Sequence, residues 1–346
     1  MTSHLKPELS AEGTMADKAL GEREIIRRLT SKFGKSGPRL PLGFDDDVSA
    51  VPISTRKWLI LKTDSLVGST DVPPRMTLEQ ASRKAVVATV SDFAAKGVQP
   101  SALLISLMLK TPVSQKMVDE IGRGLQAAAR EYGARIVGGD TGEARDLVIN
   151  CTGFGIADPQ RVLRRNGARP GDVVAVTGSF GKTSCGLRIL LSKRKALAAK
   201  FPRSVNAVLH PIAKLKTGLT LAKSGQVTSS MDSSDGLAWS LHEIATQSKA
   251  RLVLEKVPVA VEAVSYAEKE GLDPKEMALY GGEEYELLLT IRKEGFALLK
   301  SRIPSLIKIG TVEKGTGNVL LRTQGERRKV DARGWEHMAS KEPRTR

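Results

Sequence analysis

The chain reads as a protein of mixed α and β structure in two domains, on three observations. Its 346 residues are enough for two ordinary cores, and 40% hydrophobic against 27% charged residues is a globular mixture. Strand-like and helix-like apolar patterns alternate along it. Between residues 158 and 170 the pattern breaks into Arg, Asn, Gly and Pro, and a new apolar strand follows.

Residues 1–14 are polar and aperiodic and read as a disordered extension, with Met15 as an alternative start. A helix is predicted over 16–33. Strands over 58–62, 102–109 and 146–156 then alternate with helices over 78–96 and 115–132. Thr77 and Gln80 form a capping-box pattern ahead of the first of these helices, and Gly97 and Pro100 close it. This makes a first domain of residues 15–158. The second, 159–338, holds a strand over 173–176, helices from about 184 to 199 and from about 236 to 247, and a strand over 287–291. Residues 339–346 form a polar tail.

Several function classes are excluded. The longest apolar runs fall far below the roughly 20 residues a membrane span needs, and no charged-then-apolar signal segment opens the chain. A cytoplasmic location is expected. Cys151 and Cys185 form no Cys-x-x-Cys pair and have no ligand-like His nearby, which supports neither a zinc site nor a disulfide. They read as small buried hydrophobes. The net charge of +16 is spread over scattered Lys and Arg with 4% aromatics, which leaves few stacking platforms for nucleic acid. It reads as a solvated basic surface that attracts anionic substrates.

Against that basic background stand Asp45-Asp46-Asp47, Thr63-Asp64, Ser91-Asp92, Gly138-Gly139-Asp140 and Asp232-Ser233-Ser234-Asp235-Gly236. Each acid taken singly is an ordinary cap or turn residue. Together, flanked by Gly, Ser and Thr, they suit a hard cation such as Mg²⁺, which takes oxygen ligands and bridges to phosphates. Asp92 lies inside an apolar helix, where an unpaired carboxylate is costly. Asp232 and Asp235 precede a helix that either of them is placed to cap, or whose N-terminus is placed to help hold a metal-bridged phosphate.

The run from Gly178 to Thr183 is not a Walker loop, because that motif requires glycine at Val176. It reads as a strand-to-helix turn with Lys182 directed toward phosphate. His4, His210, His242 and His337 lie apart from the acidic motifs. No general base is therefore assigned. A phosphate monoester acceptor, with a second pKa near ~6, is already ionised and needs none. Lys84 and Lys182 are the candidates for charge neutralisation.

With these residues in hand, the chain resembles the thiamine-monophosphate kinase family, within the aminoimidazole-ribonucleotide-synthetase-like ATP-dependent enzymes. The resemblance runs from Glu22 to Trp335. It is carried by the acidic motifs, by Lys84-Ala85, by Phe93-Ala94-Ala95-Lys96-Gly97, by Arg169-Pro170-Gly171-Asp172 and by Gly281-Gly282-Glu283-Glu284-Tyr285-Glu286-Leu287-Leu288. It implies an α+β fold with an N-terminal mixed or antiparallel sheet flanked by helices and paired in a homodimer, and a C-terminal α/β sandwich. It also implies ATP and Mg²⁺ held between the domains, and direct transfer of the γ-phosphate to thiamine monophosphate. Carried over, Asp47, Asp64, Asp92, Asp232 and Asp235 bind metal. Asp46, Thr63, Gly139, Asp140 and Ser234 complete the nucleotide site, and Asp71, Glu283 and Trp335 meet the acceptor.

Three departures bear on the acceptor. Asp71 stands where the family has His, Gly181-Lys182-Thr183 replaces Gly-Asp-Ser, and His210-Pro211-Ile212-Ala213-Lys214 replaces Arg-Pro-x-x-Arg. The alternative is therefore a related kinase or synthetase acting on another small phosphorylated acceptor. The hydrogenase-maturation branch uses a C-terminal Cys, absent from Glu342-Pro343-Arg344-Thr345-Arg346. A nucleic-acid-binding protein rests on charge alone.

Overall fold

A computed structural model describes residues 20–33, 37, 40–192 and 194–338. The expected extension over 1–14, the start of the first helix over 16–19 and the polar tail lie outside the described residues. Two compact units form. The smaller joins helix α1 (Glu22–Thr30) to residues 336–338, through Glu22 N–H on the His337 carbonyl (3.1 Å) and His337 N–H on Glu22 Oε2 (2.9 Å). The helix stops short of residue 33. The hydroxyls of Thr30 and Ser31 turn back onto the carbonyls of Ile26 (2.9 Å) and Arg28 (2.6 Å), side-chain bonds that compete with further helix.

The larger unit holds two sheets. In order, its first half contains β1 (Ser49–Ser54), β2 (Lys57–Val67), the single turn α2 (Gly68–Asp71), α3 (Leu78–Lys96), β3 (Ala102–Leu109), α4 (Gln115–Glu131), β4 (Arg135–Glu143) and β5 (Val148–Ala157). The sheet order is β1-β2-β5-β3-β4, and β3–β4 is its one parallel pair. β2 is longer than the apolar run suggests. Its pairing with β5 continues from Trp58 opposite Ala157 to Val67 opposite Val148, so Asp64 lies within the strand, opposite Cys151.

The second half contains β6 (Val173–Val176), α5 (Lys182–Leu191), α6 (Lys195–Lys200), α7 (Pro202–Leu209), α8 (Leu215–Ser224), β7 (Val227–Asp232), α9 (Leu237–Gln247), β8 (Ala250–Leu254), α10 (Val261–Glu270), α11 (Pro274–Tyr280), β9 (Leu287–Ile291), α12 (Phe296–Arg302), β10 (Ile307–Lys314), β11 (Asn318–Thr323) and β12 (Glu326–Lys329). Its sheet order is β12-β11-β8-β10-β6-β9-β7, with β11–β8 parallel. The helix expected over 184–199 is two helices. Ser192 is extended (φ −77°, ψ 150°), and its hydroxyl donates to the Ile189 carbonyl (2.9 Å) while accepting from Arg194 N–H (3.3 Å), which ends α5.

Helix α3 is the centre of the unit. Its capping box closes as the sequence predicts, with Gln80 N–H on Thr77 Oγ1 and Thr77 N–H on Gln80 Oε1. Gly97 ends it in the left-handed conformation (φ 65°), with a Cβ there meeting the Ala222 methyl at 2.3 Å. It is buried along most of its length, polar side chains included, by β2, β5, α4, α8 and β7. Phe93, Val86, Val87 and Val90 have no exposed surface. No helix among the described residues is long and apolar enough to cross a membrane.

Candidate active site

The polar residues of α3 sit at the seam between the two halves of the unit. Lys96 has no solvent exposure, and its ammonium reaches Asp46 Oδ1, Asp47 Oδ2 (2.7 Å) and the Ser230 carbonyl on β7 (2.9 Å). Asp47 is enclosed further by the Arg165 guanidinium, whose Nε lies 2.7 Å from Oδ1. Burial opposes the charge on Asp47, but Arg165 and Lys96 outweigh it and hold the carboxyl below its usual range. On the same helix, Ser91 donates to Asp232 Oδ2 across the seam (2.7 Å).

Carboxylate oxygens of Asp47, Asp92 and Asp232 lie within 4.8 Å of one another, all buried. Burial drives the Asp92 carboxyl well above its ordinary value. Lys62 opposes the rise, and Asp232, Asp64 and Asp47 add to it. Burial also raises Asp232, with Asp47 adding to it. The alternation of β2 turns Lys62 and Asp64 toward α3. Lys62 Nζ lies 2.8 Å from Asp92 and 3.2 Å from Asp64. Burial disfavours this ammonium, yet Asp64 and Asp92 raise its pKa well above the ordinary value. Asp64 Oδ2 is buried with no hydrogen-bond partner. Three clustered buried carboxylates, with a fourth offering an unused oxygen, are a hard-oxygen donor set that fits a divalent cation such as Mg²⁺.

A second group lies beside this cluster. Lys84, 4% exposed, donates to the Asp71 carbonyl (2.8 Å) and pairs with Glu283 Oε1 (2.6 Å). Asp71 Oδ2 accepts the Val67 N–H (2.7 Å), so this acid braces the turn at the end of β2. Trp335 N–H donates to the Asp235 carbonyl (2.9 Å), and the Trp335 Cβ would be 3.3 Å from a Cβ on Gly282, next to Glu283. Ser234 donates to Asp232 Oδ1 (3.1 Å). The N-cap of α9 is Gly236, and Asp232 spends its oxygens on Ser91 and Ser234 rather than on capping that helix.

Four candidates are placed elsewhere. Thr63 faces away from Asp64 and bonds Asn150 Oδ1 and Thr152 Oγ1 (2.9 Å each). Asp140 and Gly139 lie exposed on β4, with Asp140 in register with Ser106 on β3 and, beyond it on β5, Asn150. Lys182 is turned from the aspartates toward Glu284 (3.8 Å) and Glu286 (3.5 Å). Lys62, Lys96 and Arg165 were not among the sequence candidates. A lysine four residues after Asp92 in an apolar helix was a readable signal, whereas Arg165 had none.

The two halves match the AIR synthase related protein N-terminal domain over residues 45–157 and C-terminal domain over 169–321, which defines the class of protein. Thiamine-monophosphate kinase of Nitrosopumilus maritimus (strain SCM1) is 38% identical over 323 residues, 92% of this chain and 98% of that protein. The enzyme of Pyrococcus horikoshii is 36% identical over 319 residues, 92% of this chain and 96% of its own. The solved structure of AaThiL complexed with AMPPCP and TMP superposes with a TM-score of 0.83 at 31% identity, covering 94% of this chain and 100% of that one. This chain belongs to the thiamine-monophosphate kinase family.

Proposed function

We propose that this protein transfers the γ-phosphate of ATP to thiamine monophosphate, forming thiamine diphosphate. The observation that carries the reading is the buried Asp47, Asp92 and Asp232 cluster beside the Lys84 and Glu283 pair, in a chain of this family. Asp47, Asp64, Asp92, Asp232 and Asp235 would hold Mg²⁺, which would supply positive charge to offset that of the phosphates. Asp46 and Ser234 shape the nucleotide side of the cleft. Asp71, Glu283 and Trp335 form the acceptor side, with Lys84 placing positive charge between them. The acceptor phosphate is already ionised at neutral pH, so these residues position and neutralise rather than remove a proton. The division falls at about residue 158, with the nucleotide and metal residues mostly before it and the residues completing the site after it. The setting we assign is the cytoplasm.

The same reading includes a homodimer. Helices α3 and α4 cover one face of the first sheet, while on the other Leu104 and Ile156 remain 37% and 56% exposed. Thr63 and Asp140 belong to this uncovered side and reach a nucleotide at the edge of a paired face, with Gly139 next to Asp140 on β4. Light scattering of the wild type and of Ile156→Glu tests the pairing, which a monomeric wild type would rule out.

The reaction is tested by incubating purified protein with ATP, Mg²⁺ and thiamine monophosphate and following thiamine diphosphate by mass spectrometry. No product from folded protein would overturn it.

A further inference from the structure

Two of the three sequence departures, at Lys182 and at 210–214, are separated in the chain but meet in space. They line one cavity of about 210 Å³ together with Arg203, Glu284 and Glu286. This is smaller than the roughly 300–1,000 Å³ of pockets for drug-sized ligands, so its occupant is a small molecule.

The walls are unequal. Glu286 is fully matched, with Thr177 donating to Oε2 (2.7 Å) and Lys214 (3.2 Å) and Lys182 (3.5 Å) against Oε1. Glu284 is 7% exposed, and its Oε1 accepts the Thr183 N–H (3.1 Å) at the start of α5. Its Oε2 is buried with no hydrogen-bond partner, the Lys182 ammonium standing off at 3.8 Å. Such an oxygen costs free energy until something donates to it. At the rim, Arg203 is exposed and makes no ion pair among the described residues. His210 Nε2 accepts from Gln80 Nε2 (2.9 Å). The cavity thus leaves one carboxylate oxygen at its floor without a hydrogen-bond donor and the Arg203 guanidinium at its rim without an anion.

The floor also belongs to a held loop. Glu283 and Tyr285, on either side of Glu284, have φ of 62° and 51°, a region non-glycine residues rarely occupy. Glu283 turns to Lys84, whereas Glu284 turns to Thr183, so the cavity and the Lys84–Glu283 pair draw on different side chains of one loop.

We propose that this cavity binds a small amino-phosphate, its amine donating to Glu284 Oε2 and its phosphate held by Arg203, at a site separate from that of the acceptor. The proposal does not depend on which acceptor the enzyme phosphorylates. Titration calorimetry with phosphoethanolamine tests it, with ethyl phosphate and ethanolamine as probes lacking one end each. Both are expected to bind at least 10-fold more weakly than phosphoethanolamine. Arg203→Ser should weaken phosphoethanolamine at least 10-fold without changing Mg²⁺-ATP binding, and Glu284→Gln should abolish its advantage over ethyl phosphate. Saturating thiamine monophosphate should leave the titration unchanged. No heat with phosphoethanolamine, equal binding of ethyl phosphate, full affinity in Arg203→Ser, or displacement by thiamine monophosphate would each overturn the site. Product formation in the same preparation reports separately on the proposed reaction.

Discussion

Lys96 Nζ lies 2.7 Å from Asp47 Oδ2, and neither side chain has any solvent exposure. One is the last residue of α3 and the other belongs to the loop before β1, while the Lys96 ammonium also reaches the Ser230 carbonyl on β7. A charge buried this deeply is tolerated because it is paired and bonded on several sides. Replacing Lys96 by Met leaves Asp47 with Arg165 alone. The expected loss of stability is about 3–5 kcal/mol, the range for breaking a buried pair. Urea denaturation measures it, and a loss below ~1 kcal/mol would show that the pair is dispensable.

Asp64→Asn and Asp235→Asn are expected to remove at least ~100-fold of turnover, as loss of one charge-stabilising group does in other active sites. A neutral amide is a weaker Mg²⁺ ligand than a carboxylate, so calorimetric affinity for Mg²⁺-ATP should fall as well. The circular dichroism spectrum should match the wild type. Unchanged turnover in both variants would refute the metal assignment.

His242 makes a different kind of prediction. Burial holds its imidazole below the ordinary value, although Nε2 donating to the Val330 carbonyl (2.8 Å) opposes this. The unfolded chain therefore binds the proton more readily. The contribution of His242 to stability is complete above its unfolded pKa of about 6.5 and is lost as pH falls through the lower folded value. The Tm advantage of wild type over His242→Gln should shrink between pH 8 and pH 5, by roughly 2–4 °C for each ~1 kcal/mol lost. A constant difference would contradict the shift.

The two thiols should be inert in the native protein. Burial pushes Cys151 up to about 12 and Cys185 up to about 11. Since the thiolate is the nucleophile, almost none is available at pH 8. Iodoacetamide should leave both unmodified in the folded protein and alkylate both in urea, as read by intact mass. Rapid alkylation of the native chain would show that one thiol is exposed.

Much of this was legible in one dimension. The capping box at Thr77 and Gln80 and the stop at Gly97 are local signals, and they appear in the fold where the pattern puts them. The end of α5 at Ser192 was not legible, because a single hydroxyl chose between continuing a helix and bonding back to it. The extent of β2 was hidden for a related reason. Pairing with β5 carries a polar Lys-Thr-Asp segment through the sheet, where its own composition suggests a strand end.

By itself the amino-acid order determined the kind of chemistry: acids in motifs bounded by small residues, on a basic background, with no histidine or cysteine set to compete. Only the tertiary structure decided how those acids divide. The alternation of β2 sends Asp64 toward α3 and Thr63 to the opposite face, and the crossing of α3 against β7 brings Asp92 to Asp232 from 140 residues away. It also moved Lys182 from the expected phosphate side to Glu284 and Glu286, and introduced Lys62, Lys96 and Arg165 as the cations that make the cluster tolerable. The physical reason is that a carboxylate's role depends on what surrounds it after burial, and burial joins segments whose separation in the chain carries no trace of their meeting.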